Sequence, residues 1–421
     1  MKRFKWRCLV QNYQAVYLMI FAVYLASVTL QTTTFNVMYP HKLGVLVELA
    51  TLAAMFGLIV GFQALTPRQI IGEVSLLALV TVVTLTSGAH YLLPTVMLVL
   101  AARQVSFRRI MQVYLAVVGS ILLLAFIAAE IGLIKNITFV TDDGVRQSFG
   151  VVYTTDFAAH IFYICAAYLY LQARRFRLVM LIPALLGLVM LIPALLGLVV
   201  IYQFTKTMTD TIALLVLISG YLVYVYRRKH QHVKWLRPLL RYSFLTLPIA
   251  SGLMIGLSNI FNYQDKLLAT LNDALSTRLA LGQNALLAYG VKLFGQSPIP
   301  INGWGGDRVN TFTNGVGLTT YFFIDSSFLN MLISYGLLFT VVVLAGITWF
   351  LYQRTRQNDY LLPVIMMAIA ISSMFDQHFL EVTYNSFILM LFAELPSYHT
   401  TVGAAFDQPI VSPRGALTDE S

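Results

Sequence analysis

IMQVYLAVVGSILLLAFIAAEIGL (110–133) carries one charge, Glu130, and follows the pair Arg108–Arg109. As an α-helix this run is about 36 Å long, at 1.5 Å per residue. That is enough to cross a hydrocarbon core of about 30 Å. Working outward, comparable apolar runs fall near 13–31, 43–63, 69–88, 90–102, 153–173, 178–202, 209–226, 243–261, 328–350, 360–376 and 383–396. With 110–133 they make about twelve. The two shortest, 90–102 and 383–396, read as tilted or re-entrant segments.

Composition points the same way. Of the 421 residues, 58% are hydrophobic and only 11% charged, whereas a water-soluble domain carries about 25% charged residues. The mean hydropathy is +0.75. Disorder, collagen-like repeats and a disulfide scaffold are excluded. Cys8 and Cys165 alone make neither a disulfide framework nor a metal cluster. The fold class that remains is an all-α polytopic integral membrane protein, with about twelve transmembrane helices and a large extracytoplasmic loop. The basic stretch before the first run, without a small-residue cleavage site, reads as an uncleaved signal-anchor.

Basic residues set the orientation. With the N-terminus inside, 20 of the 28 Lys and Arg residues flank the inner ends of the spans and 8 the outer ends. Both termini are therefore expected in the cytoplasm, and the net charge of +10 reads as an inner-leaflet anchor. No basic stripe interleaved with aromatics indicates nucleic acid.

The chain then divides as follows: N-terminal spans 1–133, a first long outer loop 134–152, central spans 153–261, a large outer loop 262–327, C-terminal spans 328–396, and a cytoplasmic tail 397–421. Within the large loop, leucines at helical spacing over 265–290 predict an amphipathic helix on the outer surface. Within the central spans LVMLIPALLG occurs twice in tandem, at 178–187 and 188–197, and reads as a duplication without an assigned role.

Charges beside a membrane are costly, so the outer ones are the candidates for chemistry. Arg146, Arg278 and Arg308 stand in the two long loops, the first two within Arg-x-x-x-Gly, RQSFG (146–150) and RLALG (278–282). A planar cation beside a close-approaching backbone suits phosphate oxygens. A headgroup contact or a loop salt bridge accounts for each arginine as well. Asp156 and His160, at i and i+4, share a helix face; so would Lys206 and Asp210. Asp325 sits at the outer mouth of a span. His378 and Glu381, at i and i+3 in FDQHFLEVTYN (375–385), can form a general base with its orienting carboxylate, or a structural pair closing the last hairpin. Asp142–Asp143 reads as a solvated turn, and Glu48, Glu73 and Glu130 as helix-end residues.

Four segments that hold these residues resemble bacterial polysaccharide polymerases of the Wzy type, within the superfamily shared with O-antigen ligases. RQSFGVVYTTDFAAHIF (146–162) is similar to the entry of a middle span in that family. TRLALGQNALLAYGVKLFGQ (277–296), with YFFIDSSFLNMLISYGLL (321–338), resembles its large outer loop and the entry to the next span. FDQHFLEVTYNSFILMLF (375–392) resembles its penultimate hairpin. The likeness covers about 140–395. It departs at 205–211, where Met208 stands at a position the family often gives to arginine and Lys206 is the available cation. After the first Arg-Gly motif, the family's asparagine is Thr155 or Asp156 here.

The resemblance implies a membrane glycosyltransferase acting at the outer face of the bacterial cytoplasmic membrane. It would join repeat units carried on undecaprenyl pyrophosphate into a cell-surface polysaccharide, with no cofactor and no metal. On this reading Arg146, Arg278 and Arg308 bind the pyrophosphate. His378, Glu381 or Asp325 accepts the acceptor's proton. Lys206, Asp156, His160, Trp304 and Tyr321 are further substrate contacts. The expected partners are the lipid-linked oligosaccharide, the bilayer, and a chain-length regulator and flippase of the same pathway. Ligase-like transfer to another acceptor, or a flippase, are the alternatives.

Overall fold

In the computed structural model the run around 110–133 is α5, Phe107–Glu130. Ile110, Met111, Tyr114, Val118, Ile121, Leu122 and Ala125 are buried at i, i+3 and i+4 spacing. Leu123, Leu124 and Ile127 on the opposite face are exposed. A helix that is apolar on its packed face and on its open face has lipid as the solvent on the open one. The structure describes residues 2–141, 144–173, 185–230, 233–300 and 322–395.

Seven helices are long and apolar enough to cross a membrane. They are Asn12–Gln31 within α1 (Lys2–Gln31), α2 (His41–Phe62), α3 (Pro67–Ser87), α5, α8 (Met208–Lys229), Ser243–Ile260, whose α-helical part α10 is Thr246–Ile260, and α14 (Leu337–Arg356). Shorter apolar helices are α4 (Leu92–Ala101), Leu191–Thr205 at the end of α7 (Leu185–Val200), and α15 (Leu361–Ser372). α6 (Thr154–Gln172) is largely enclosed, with Phe157, Ala158, Ala159, His160, Phe162 and Tyr163 all buried. A short α9 (Leu236–Arg241) lies between α8 and α10. A two-stranded antiparallel hairpin, β1 (Thr138–Thr141) with β2 (Gly144–Gln147), rises between α5 and α6 and sets Phe139 opposite Arg146.

Local chemistry explains the ends. α3 opens on a capping box, Thr66 with Gln69, and has Pro67 at its first position. α4 is about 15 Å long, so its last carbonyls end inside the bundle. Neighbours satisfy them: Tyr17 Oη donates to Leu98 O at 3.0 Å, Tyr13 Oη to Ala101 O at 2.5 Å, and Gln63 Nε2 to Leu100 O at 3.2 Å. At the same end Arg103 holds Glu73 of α3 at 2.6 Å.

Three expectations are modified. The amphipathic stretch 265–290 is two helices, α11 (Lys266–Ala274) and α12 (Arg278–Tyr289). Ser276 and Thr277 between them have φ of +51° and +65°. The buried Asn272 ties this turn, its carbonyl accepting from Thr277 N at 2.8 Å and its Oδ1 from Ala280 N at 2.9 Å. The span expected at 328–350 divides into the helical turn α13 (Ser327–Asn330), a wide turn over Met331–Tyr335, and α14. The segment expected at 383–396 is not α-helical over its described residues 383–395; Ser386–Leu391 is a 3-10 helix and 382–390 is wholly buried. It runs from Thr383, whose hydroxyl meets Thr29 at the end of α1, to Glu394, whose backbone pairs with Val105 and Phe107 at the start of α5. Non-helical backbone is tolerated at membrane depth only where protein encloses it, as here.

Of the tandem repeat, residues 178–184 lie outside the described residues; the second copy lies in α7, with Pro193 inside the helix. The tail 397–421 and Asp142–Asp143 also lie outside them.

Candidate functional site

α6 begins at the end of the bundle opposite Arg103, Arg108 and Arg227–Lys229. Asp156 occupies its first turn, where unsatisfied backbone N–H groups favour a negative charge. One turn on, His160 faces the same way. Both meet the segment that follows α15. Its 3-10 turn His378–Leu380 presents His378 to three carboxylates: Nε2 lies 3.2 Å from Asp376 Oδ1 and 3.5 Å from Asp156 Oδ1, and Nδ1 lies 3.4 Å from Glu381 Oε2. Tyr384 is stacked between the two imidazoles, 3.6 Å from the His378 ring and 4.1 Å from the His160 ring. His160 Nε2 closes the assembly on Thr32 Oγ1 at 2.9 Å.

Burial alone would push the His378 imidazole down. The carboxylates of Asp376, Glu381 and Asp156 outweigh it and hold its pKa well above the ordinary value. The surrounding carboxylates thus favour the protonated form of His378. Glu381 is the most exposed of its three carboxylates, at 27% of its side chain.

Arg278 opens α12. Its Nε donates to Phe375 O at 2.6 Å and its Nη1 to Leu275 O at 3.3 Å, and Asp325 Oδ2 lies 3.9 Å from Nε. The glycine of its motif explains the seat. A Cβ on Gly282 would stand 2.5 Å from Leu329 Cδ1 and 2.6 Å from Ser258 Oγ, so the helix rests directly on its neighbours. Gly150 does the same for the other motif: φ is +81°, and a Cβ would stand 2.6 Å from Ala125 O. Arg146 reaches inward from β2 with its Nε buried and without a hydrogen-bond partner among the described residues. The two arginines and two of the acids act on one group. Asp325, Asp156, Arg146 and Arg278 all lie close enough to act on the Tyr153 phenol.

The remaining candidates separate. Lys206 lies before α8, not on it, in a left-handed conformation (φ +52°), with its ammonium against Gly144 of the hairpin. Lys206 and Asp210 thus do not share a helix face. Asp210, in the first turn of α8, is buried and feels Arg278, His378 and Asp156. Arg308, Trp304 and Tyr321 lie outside the described residues.

Sequence reasoning passed over Asp376, Tyr153, Tyr384 and Thr32. Asp376 carried a signal, being two residues from His378 in the same acidic run; the other three carried none. Carboxylates thus crowd a site expected to be dominated by cations, and two of them, Asp376 and Asp156, lie against the His378 imidazole. Among the described residues no three of His, Cys, Asp and Glu are arranged to hold a metal ion. No family model, no curated protein and no solved structure matches this chain.

Proposed function

We propose that this protein is a Wzy-type glycan polymerase of the bacterial cytoplasmic membrane. It would cross the membrane twelve times with both termini inside. The seven long helices, α6, the three shorter apolar helices and the enclosed stretch 383–394 account for the crossings. The basic flanks define the inner face, so the cluster around His378 faces outward.

The observation that carries the reading is the meeting, at that end, of two Arg-x-x-x-Gly segments with an imidazole surrounded by three carboxylates. The unfilled Nε of Arg146 and the remaining guanidinium edge of Arg278 offer donors to a diphosphate. The acceptor hydroxyl oxygen bonds to the donor's anomeric carbon. The bond from that carbon to the pyrophosphate oxygen breaks, and its electron pair leaves with the undecaprenyl pyrophosphate. Charge growing on that oxygen is offset by the guanidinium groups. The hydroxyl proton goes to Glu381, the most exposed of the carboxylates around His378, because those carboxylates favour the protonated form of His378 and Asp325 lies against Arg278. His378 positions Glu381. Arg308, Trp304 and Tyr321 remain proposed contacts from the large loop.

Deletion of the gene, complemented with variants, tests this. Loss of long chains with accumulation of single repeat units is expected from the deletion and from Arg146→Ala and Arg278→Ala at normal membrane levels. Arg278→Lys should also fail, since a point charge does not replace a planar fork. Unchanged long chains in the deletion would end the reading. Free polymer that is no longer attached would favour a ligase, and lipid-linked units stranded on the inner leaflet a flippase.

A further inference from the structure

Glu381 has a second face. Beyond the imidazole of His378, it lines a half-open cavity of about 180 Å³ bounded by the outer parts of α1, α2 and α4 and by residues 381–383. That volume equals about six waters, room for one pyranose ring. The walls are chemically specific. Tyr24 and Tyr91 supply aromatic surface, Gln31 a planar amide, and Glu48 of α2 a second carboxylate facing the same space as Glu381. Both carboxylates act on the Tyr24 phenol. Among the described residues no Lys or Arg lines the cavity, and the wall they form, with two carboxylates, disfavours an anion. A bare cation would leave most of the space to water. Hydroxyl-accepting carboxylates and an amide beside aromatic rings are complementary to a neutral ring with several hydroxyls and apolar C–H faces.

Two wall residues lead directly to the buried histidines. Glu381 Oε2 is 3.4 Å from His378 Nδ1, and Thr32 Oγ1 is 2.9 Å from His160 Nε2. A sugar hydroxyl in the cavity therefore meets the one carboxylate shared with the charge cluster. Arg278 and Arg146 do not line the cavity.

We propose that this cavity is a saccharide subsite that presents the acceptor ring to Glu381, separate from the arginines that hold the donor. The acceptor role rests on the polymerase reading; the binding of a neutral sugar does not.

The test is a saturation-transfer NMR titration of the purified full-length protein. The probes are methyl β-glucoside, methyl β-galactoside and methyl N-acetyl-β-glucosaminide. At least one should bind to wild type. Val28→Trp, which fills the half-buried wall of the cavity, should abolish that binding, and Glu48→Gln should weaken it about tenfold. Arg278→Ala should leave it unchanged. If Val28→Trp is not recovered folded, Glu48→Gln decides alone. The assignment is overturned if no probe binds in a manner sensitive to these substitutions, or if Arg278→Ala removes the binding equally. Either result leaves the polymerase reading to the gene deletion, which can fail while the sugar site stands.

Discussion

Gly150→Ala isolates the seat of the first arginine motif. A Cβ there would stand 2.6 Å from Ala125 O and 3.0 Å from Ala125 C, both backbone atoms of α5 that no rotamer change can move. The residue also holds φ at +81°. A left-handed alanine costs roughly 1–2 kcal/mol, and overpacking a tight contact costs about 1–3 kcal/mol. Together they amount to about 2–5 kcal/mol, a large share of the 5–15 kcal/mol typical of a folded domain. The strain would spread to the end of α1, because Gly150 O accepts from Thr34 N at 2.8 Å and Val152 N donates to Thr32 O at 2.9 Å. Thermal unfolding of the purified protein in detergent is the assay, with Gly119→Ala as the control. Gly119 lies in α5 with nothing within 4 Å of an added Cβ, so alanine should there stabilise by about 0.5–1 kcal/mol. Gly150→Ala should lower Tm by several degrees and shift the mobility of a spin label at Val145. A Tm equal to wild type, with Gly119→Ala behaving as stated, would refute the close-approach argument.

His378 gives a pH signature. Its folded pKa is raised above the unfolded value of about 6.5, so its stabilising effect is complete below that pH and is lost as pH rises through the folded value. Groups facing it are Asp376 and Glu381 on its own segment, Asp156 and His160 on α6, Asp210 on α8 and Arg278 on α12. Tm should therefore decline on the alkaline side in wild type, and His378→Gln should flatten that decline; an identical slope in the variant would contradict the assignment. Tyr13→Phe removes the donor to Ala101 O and the acceptor for Gln63 Nε2, which should cost about 1–3 kcal/mol by leaving buried groups unpaired, read as a lower Tm at unchanged membrane level. For orientation, Cys8 and Cys165 are replaced by alanine and single cysteines placed at Leu287 and Trp235, both exposed, at 79% and 75%. A membrane-impermeant maleimide should label Leu287→Cys in intact cells and Trp235→Cys only after permeabilisation; the reverse pattern would invert the outer face.

Much of the membrane character was legible in the sequence because lipid imposes long, apolar, hydrogen-bonded helices, and 110–133 could be little else. Where protein rather than lipid surrounds the backbone, the rule loosens. Residues 383–396 have the composition of a span, yet Tyr114 Oη donating to Tyr384 O, and Asn385 Nδ2 donating to Phe379 O, help hold a different path. At the site, spacing predicted that Asp156 pairs with His160 on one face and His378 with Glu381 on another. It did not predict that the two faces meet, because that depends on packing between residues more than 200 positions apart. The motif glycines were visible, but their reason, contact with Ala125 in one case and with Ser258 and Leu329 in the other, was not. The i, i+4 argument for Lys206 and Asp210 failed because α8 begins only at Met208.

The non-α stretch from Thr383 to Glu394, buried as far as Met390, also constrains biogenesis. Alone in lipid it would expose main-chain amides that a helix satisfies internally. It therefore has no stable inserted state until α1 and α5 have already assembled into the slot that receives it. Synthesis would leave this portion waiting at the interface while the rest of the bundle closes, and the docking of Tyr384 between His160 and His378 would be among the last events of maturation. The candidate site is thus completed only when assembly is finished, so partly built molecules carry its acidic residues without the aromatic ring stacked between the histidines.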